Sequence, residues 1–157
     1  PGIHETCCLG RVVQSETLAD GRSNLMLAGL RRVRILAELE TGKPYREARV
    51  EVSDDVYPAS GDLDRAERHD RLLERFLLQV TGERDDQLQR DLSADRMKLG
   101  ALTDVISYTL AFEASFKQQL LEEVDVDRRA RWLLERLQGE ESPSPGGRKF
   151  PPDFSLN

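Results

Sequence analysis

The fold of this 157-residue chain is decided by the stretch Leu9-Gly-Arg-Val-Val-Gln-Ser-Glu-Thr-Leu-Ala-Asp-Gly-Arg-Ser-Asn-Leu-Met-Leu-Ala-Gly-Leu-Arg-Arg-Val-Arg-Ile35. Apolar side chains recur in it at every second position, as at Leu25 and Leu27, which is the period of a part-buried β-strand. Asp20-Gly21 lies in the middle, and both residue types tolerate the positive φ angles that tight hairpin turns require. The stretch therefore predicts two antiparallel strands joined by a short turn.

The β pattern continues beyond this hairpin. Gly29 predicts a bulge or a close backbone approach before a strand from Arg31 to Leu39, because a glycine weakens a regular strand. Thr41-Gly-Lys-Pro44 predicts a second turn, followed by a further strand from Tyr45 to Val52. Three or four short strands are thus expected in a β-rich part, residues 1–60.

Residues 61–138 show the spacing of helices instead. The predicted boundaries are an N-cap at Asp62 and a stop at Gly82 for the first helix, a start at Ser93 or Asp95 for the second, Phe116–Glu123 for the third, and a cap at Asp125 for the fourth. The apolar stripe of the first helix is expected to begin at Leu63 and end at Val80. The inward positions expected in the fourth helix are Val126, Ala130, Leu133, Leu134 and Leu137.

Two ion pairs are expected on the outer side of the first helix, where Asp64 precedes Arg68 and Glu67 precedes Arg71 by four residues. Residues 139–157 are rich in Ser, Pro and Gly and predict a disordered tail. The segment Lys149-Phe-Pro-Pro-Asp-Phe154 leaves a second interpretation open, an extended linear motif with two Phe anchors.

The charge of the chain disfavours nucleic acid as a partner. The chain has 23 Lys and Arg against 29 Asp and Glu, a net charge of −6, whereas a nucleic-acid binder needs a basic stripe to displace counterions. The densest basic group is Arg31, Arg32 and Arg34, and on a strand only Arg32 and Arg34 share one side. No apolar run approaches 18 residues and no secretory signal is visible, so we expect a cytoplasmic protein without a membrane span.

The cysteines and histidines do not form a metal motif. Cys7 and Cys8 are neighbours on a predicted strand, so their side chains point to opposite sides, and we expect two reduced thiols, one of them buried. His4 lies close in sequence, but the other histidine is His69 on a predicted helix, and zinc requires four well-placed ligands. We therefore expect no metal and no cofactor.

The order and spacing of several short segments resemble the LON domain, the amino-terminal substrate-binding domain of Lon proteases. The matching segments of the first half are Gly10-Arg-Val-Val-Gln, Leu18-Ala-Asp-Gly-Arg22, Asn24 to Ile35 and Thr41-Gly-Lys-Pro-Tyr45. Those of the second half are Leu102-Thr-Asp-Val-Ile-Ser, Lys117-Gln-Gln-Leu-Leu-Glu and Asp125-Val-Asp-Arg-Arg. The resemblance runs from about residue 8 to residue 138.

This resemblance implies an α+β fold, in which a PUA-like β-barrel portion of antiparallel strands precedes a small helical bundle. The residues that match the family pattern are expected to be structural: Gly10, Asp20, Gly21, Gly29, Arg32 and Asp104. The family's opening Pro-Leu-x-Pro strand and its Phe-Glu-x-Arg-Tyr helix are not found in this sequence. We therefore expect an amino-terminally truncated domain with unpaired strand edges.

The function implied by the resemblance is a non-catalytic protein-binding module that recognises unfolded or tagged proteins, with a protease as a further possible partner. Clients would add to a sheet edge or insert an apolar side chain between barrel and helices. The candidate client contacts are Met26, Leu30, Leu36 and Tyr45. Two alternatives stay open, a scaffold that docks on a protease or ligase and PUA-like RNA binding, and the oligomeric state is not predicted.

No group of residues in the sequence predicts catalysis. The sequence has no Gly-x-x-x-x-Gly-Lys-Ser/Thr loop, because Gly146-Gly-Arg-Lys149 resembles one only superficially. Ser115 and Lys117 are expected at a helix start and not in a catalytic dyad. The acidic pairs Asp54-Asp55 and Asp85-Asp86 are expected in solvated loops, so we expect no enzyme activity from these residues.

Overall fold

The computed structural model describes residues 2–61, 63–82 and 97–139. Its elements, in chain order, are β1 (Thr6–Thr17), β2 (Ser23–Leu39), β3 (Glu47–Val52), a 3-10 turn (Ala59–Gly61), α1 (Arg65–Thr81), α2 (Leu99–Thr109), α3 (Ala114–Glu122) and α4 (Val126–Gly139). The expected α+β class is confirmed. The chain divides into a sheet unit, Pro1–Val56 with Ala114–Val124, and a helical unit, Tyr57–Glu113 with Asp125–Asn157.

The sheet unit contains an open antiparallel sheet in the order β1-β2-β3, which is the barrel portion within the described residues. β2 runs without a break through Gly29, so the expectation of separate strands before and after this glycine is wrong. Leu9 pairs with Arg31 and Gly10 with Gly29, which leaves Leu30 as the extra residue of a bulge. The predicted bulge is therefore present, and β2 stays continuous because a bulge bends a strand without ending it.

Both predicted turns of the sheet unit are confirmed. Gly21 has a φ of 84° and Gly42 a φ of 67°, in the left-handed region that favours glycine. Asp20 completes the first turn, because its Oδ1 accepts a hydrogen bond from the backbone N–H of Arg22 at 3.0 Å. Local side-chain to main-chain bonds of this kind are the reason why Asp-Gly can be recognised as a turn from sequence alone.

The helical unit has an apolar core, formed by Leu72, Leu73, Leu77, Leu99, Leu102, Ile106, Phe112, Val126, Ala130, Leu133, Leu134 and Leu137. The five inward positions predicted for α4 are therefore confirmed. So is the cap at Asp125, whose Oδ1 accepts a hydrogen bond from the N–H of Arg128 at 3.0 Å. A capping residue marks where a helix starts, and a stripe of apolar residues shows which side of the helix faces the core.

The predicted stripe of α1 is partly wrong. The helix begins at Arg65 after Asp64, and the expected cap Asp62 lies outside the described residues. Leu63, placed in the stripe, precedes the helix and is 95% exposed. Val80 is also exposed, whereas Leu72 is fully buried, because burial is decided by where the neighbouring helices lie. Gly82 ends α1 as predicted, with a φ of 74°.

Other predictions fall on parts of the chain that are not described. Ser93 and Asp95 lie there, and α2 begins after Lys98, whose side chain makes no capping bond. Asp85-Asp86 and the segment Lys149–Phe154 lie outside the described residues as well. None of the helices in the described part of the chain is long and apolar enough to cross a membrane.

Candidate functional site

The strands expose nearly all of their apolar side chains. Every strand residue is described, and Val33, at 1% exposed, is the one that is buried. The exposed apolar side chains of the sheet include Leu9, Val12, Val13, Leu25, Met26, Leu27, Leu30, Leu36, Leu39, Val50 and Val52. Contiguous apolar surface of this kind is unusual on a monomer and marks an interaction surface. The sheet is therefore the candidate protein-binding site.

The four candidate client contacts are all exposed, and three of them lie on β2. Met26 pairs with Gln14 of β1. Leu30 and Leu36 lie at register shifts of β2, Leu30 in the pairing with β1 and Leu36 in the pairing with β3. Tyr45 lies in the loop before β3, and Lys43 Nζ stands 5.4 Å from the centre of its ring. Their exposures range from 45% for Met26 to 59% for Tyr45.

Arg32 links three parts of the sheet unit. Its Nε donates a hydrogen bond to the main-chain oxygen of Leu121, in α3, at 2.5 Å. Its Nη1 donates to Asp55 at 2.7 Å, and its side chain is only 7% exposed. A second bond supports α3, because Gln118 Nε2 donates to the oxygen of Thr6 at 3.0 Å. Arg32 thus holds α3 and the segment after β3 against β2.

The other arginines of β2 are also paired with carboxylates. Arg31 bonds Asp54 at 2.9 Å, and Arg34 bonds Glu51 at 2.8 Å. Both pairs are more than half exposed, so each contributes little to stability. The consequence for function is electrostatic, since the densest basic group of the sequence is neutralised within the sheet unit.

The helical unit contains a buried ion-pair cluster that the sequence analysis did not find. Asp127, in the first turn of α4, accepts hydrogen bonds from Arg65 Nη2 at 2.7 Å and from Arg68 Nη1 at 2.5 Å. Arg65 also donates to the oxygen of Pro58 at 2.7 Å. Burial alone would raise the pKa of Asp127, but the bonds and positive charges of Arg65 and Arg68 outweigh it and hold this pKa below its ordinary value.

Helical spacing predicts only part of this cluster. Glu67 and Arg71 form the expected pair at 4.0 Å, but Arg68 reaches Asp127, which is 59 residues away. Oδ1 of Asp104, one of the residues that match the family pattern, lies 4.0 Å from Nη1 of the buried Arg129. Pairs that are distant in sequence cannot be predicted from helical spacing, which reports only neighbours three or four residues apart.

The positions considered for catalysis do not form a reactive group. Ser115 and Lys117 lie near the start of α3, two residues apart, where helical side chains do not face each other. Asp54 and Asp55 are bonded to Arg31 and Arg32. The sequence stretches that the structure describes bring no three His, Cys, Asp or Glu side chains together in a way that could hold a metal ion. Cys7 and Cys8 are free thiols as expected, but Cys7 is half-buried and Cys8 is exposed, so the expectation that one of them is buried is wrong.

A depression on the surface of the helical unit has a mixed charge and favours neither an anionic nor a cationic ligand. It has a volume of about 500 Å³, lies between α1 and α4, and is lined by Asp64, Glu67, Arg68, Arg71, Arg131, Leu134, Glu135 and Gln138. Acidic and basic side chains alternate around it, so an anion and a cation would each meet repulsion. We give it no role in binding.

Comparisons with known proteins, both of sequence and of structure, support the α+β architecture. The profile of the ATP-dependent protease La (LON) substrate-binding domain matches residues 1–139. The Lon protease of Dictyoglomus thermophilum is 29% identical over 130 residues, which are 81% of this chain and 16% of that protein. The chain thus spans about a sixth of that relative.

Two solved structures share the fold. The N-terminal domain of the Mycobacterium avium complex Lon protease superposes with a TM-score of 0.68 at 21% identity, over 85% of this chain and 70% of that chain. The Lon N-terminal domain protein from Xanthomonas campestris gives a TM-score of 0.53 at 21% identity, over 84% of this chain and 68% of that chain.

Proposed function

This chain belongs to the family of the ATP-dependent protease La (LON) substrate-binding domain, and from this premise we propose that it binds other proteins, without a reaction of its own, by holding their exposed apolar segments. The family's name refers to substrate binding, and the 157 residues contain no phosphate-binding loop. Binding is thus the role that these residues can perform.

The observation that carries the proposal is the exposed apolar surface of the sheet. Leu27 is 64% exposed, Leu25 55% and Leu30 52%, although β2 is the central strand of its sheet. Covering such side chains with the apolar side chains of another protein removes both sets from water, which is the main driving force of protein association. Unfolded proteins present apolar segments that folded proteins bury, so unfolded or tagged proteins are the clients we propose.

The ion pairs of β2 argue against RNA as the ligand. Arg31, Arg32 and Arg34 each hold a carboxylate of the same chain. A phosphate would have to displace Asp54, Asp55 or Glu51 before it could bind. The release of counterions that drives nucleic-acid binding would then be small.

A second function, docking on a protease or ligase, is favoured by one feature of the helical unit. Val105 and Tyr108 lie on α2 and are 39% and 75% exposed. Two apolar side chains three residues apart form one patch on a helix. A scaffold would use this patch for its partner and leave the sheet to the client.

The test of client binding is capture by the purified chain, with reduced and unfolded casein compared with a folded globular protein. We expect capture of the unfolded protein that persists at high salt, because apolar contacts are not screened. Equal and negligible capture of both proteins would contradict client binding.

The docking alternative is tested with the double variant Val105→Ser and Tyr108→Ser. If α2 carries the docking patch, this variant loses the binding of a Lon-type protease and still captures unfolded casein. If it keeps both activities, the patch on α2 has no docking role.

A further inference from the structure

We draw no further inference here: the strongest candidate, the exposed apolar patch of Val105 and Tyr108 on α2, belongs to the docking alternative already described, and nothing in the structure shows what covers it.

Discussion

A carboxylate in the first turn of α4, Asp127, accepts hydrogen bonds from two arginines of α1. Its side chain is 8% exposed, and one of these arginines, Arg65, also bonds the oxygen of Pro58 and stands 5.3 Å from the ring centre of Tyr57. Removing one partner from a buried ion pair leaves the other charge in a poor environment. Asp127 and Arg65 together thus join α1, α4 and the segment before α1.

We expect Asp127→Asn to lower the free energy of unfolding by about 3 kcal/mol at pH 7, measured by urea denaturation, because two arginines lose their counter-charge. The matched control is Glu67→Gln, which removes the exposed partner of Arg71. Its cost should stay below about 0.5 kcal/mol. Equal effects of the two substitutions would show that burial does not strengthen the Asp127 cluster.

The lowered pKa of Asp127 also predicts how stability depends on pH. This pKa lies below the ordinary value of 3.8 in the folded protein, so the unfolded chain takes up the proton first as the pH falls. The contribution of Asp127 is therefore complete above about pH 5 and disappears as the pH falls through the lowered pKa. Denaturation midpoints between pH 7 and pH 3 should fall less steeply for Asp127→Asn than for the unaltered chain.

Gly61 is required by the position of Asp127. A methyl group on this residue would overlap Oδ2 of Asp127 and lie 2.7 Å from its Cγ, and this carboxylate cannot turn away without leaving its arginines. We expect Gly61→Ala to cost about 1–3 kcal/mol of stability, as overpacking does elsewhere. Gly2→Ala is the control, because nothing lies within 4 Å of the added methyl group. An unchanged denaturation midpoint in Gly61→Ala would show that the carboxylate moves freely.

At the scale of elements, the sheet unit is held together more by polar bonds than by an apolar core. Among its described residues Val33 and Leu120 are the apolar side chains that are buried. α3 is fixed instead by the bonds from Arg32 to the oxygen of Leu121 and from Gln118 to the oxygen of Thr6. Such a unit gains little from burial and depends on the geometry of a few donors.

The two neighbouring strand arginines provide a direct test of this dependence. We expect Arg32→Met to lower the free energy of unfolding by about 2–4 kcal/mol, because it removes two bonds of a buried guanidinium. Arg34→Met, which breaks an exposed pair with Glu51, should cost less than about 1 kcal/mol. Urea denaturation followed by circular dichroism compares the two, and similar midpoints would contradict the role given to Arg32.

At the scale of the whole molecule, the net charge of −6 and the neutralised arginines of β2 favour an apolar protein segment over RNA as the ligand. Binding of unfolded casein to the exposed apolar side chains of the sheet should change less than about twofold between 50 mM and 500 mM NaCl, because no ion pair forms. Single-stranded RNA should show no retention at physiological salt in a gel-shift assay. A strong decrease of casein binding with salt would show that charged residues make the contact.

The sequence by itself determined the local features of this protein. Asp20-Gly21, the bulge at Gly29, the cap at Asp125 and the stop at Gly82 each depend on the chemistry of one or two adjacent residues, and such chemistry can be recognised without neighbours. The order and spacing of the matching segments, from Gly10-Arg-Val-Val-Gln to Asp125-Val-Asp-Arg-Arg, indicated the resemblance to the LON family, and this resemblance implied the α+β class.

Only the tertiary structure decided which residues meet across the chain. The side chain of Arg68 bonds Asp127 and not the carboxylate of the nearby Asp64, Leu63 is exposed and Leu72 buried, and Arg32 reaches Leu121, 89 residues away. The two sides of the β1–β2 ribbon depend on register as well, because the bulge residues Val13 and Leu30 change which side chains share a side. Periodicity reports the sides of one element, whereas partners are chosen by packing in three dimensions, where a shift of one residue reverses the side on which every later side chain lies.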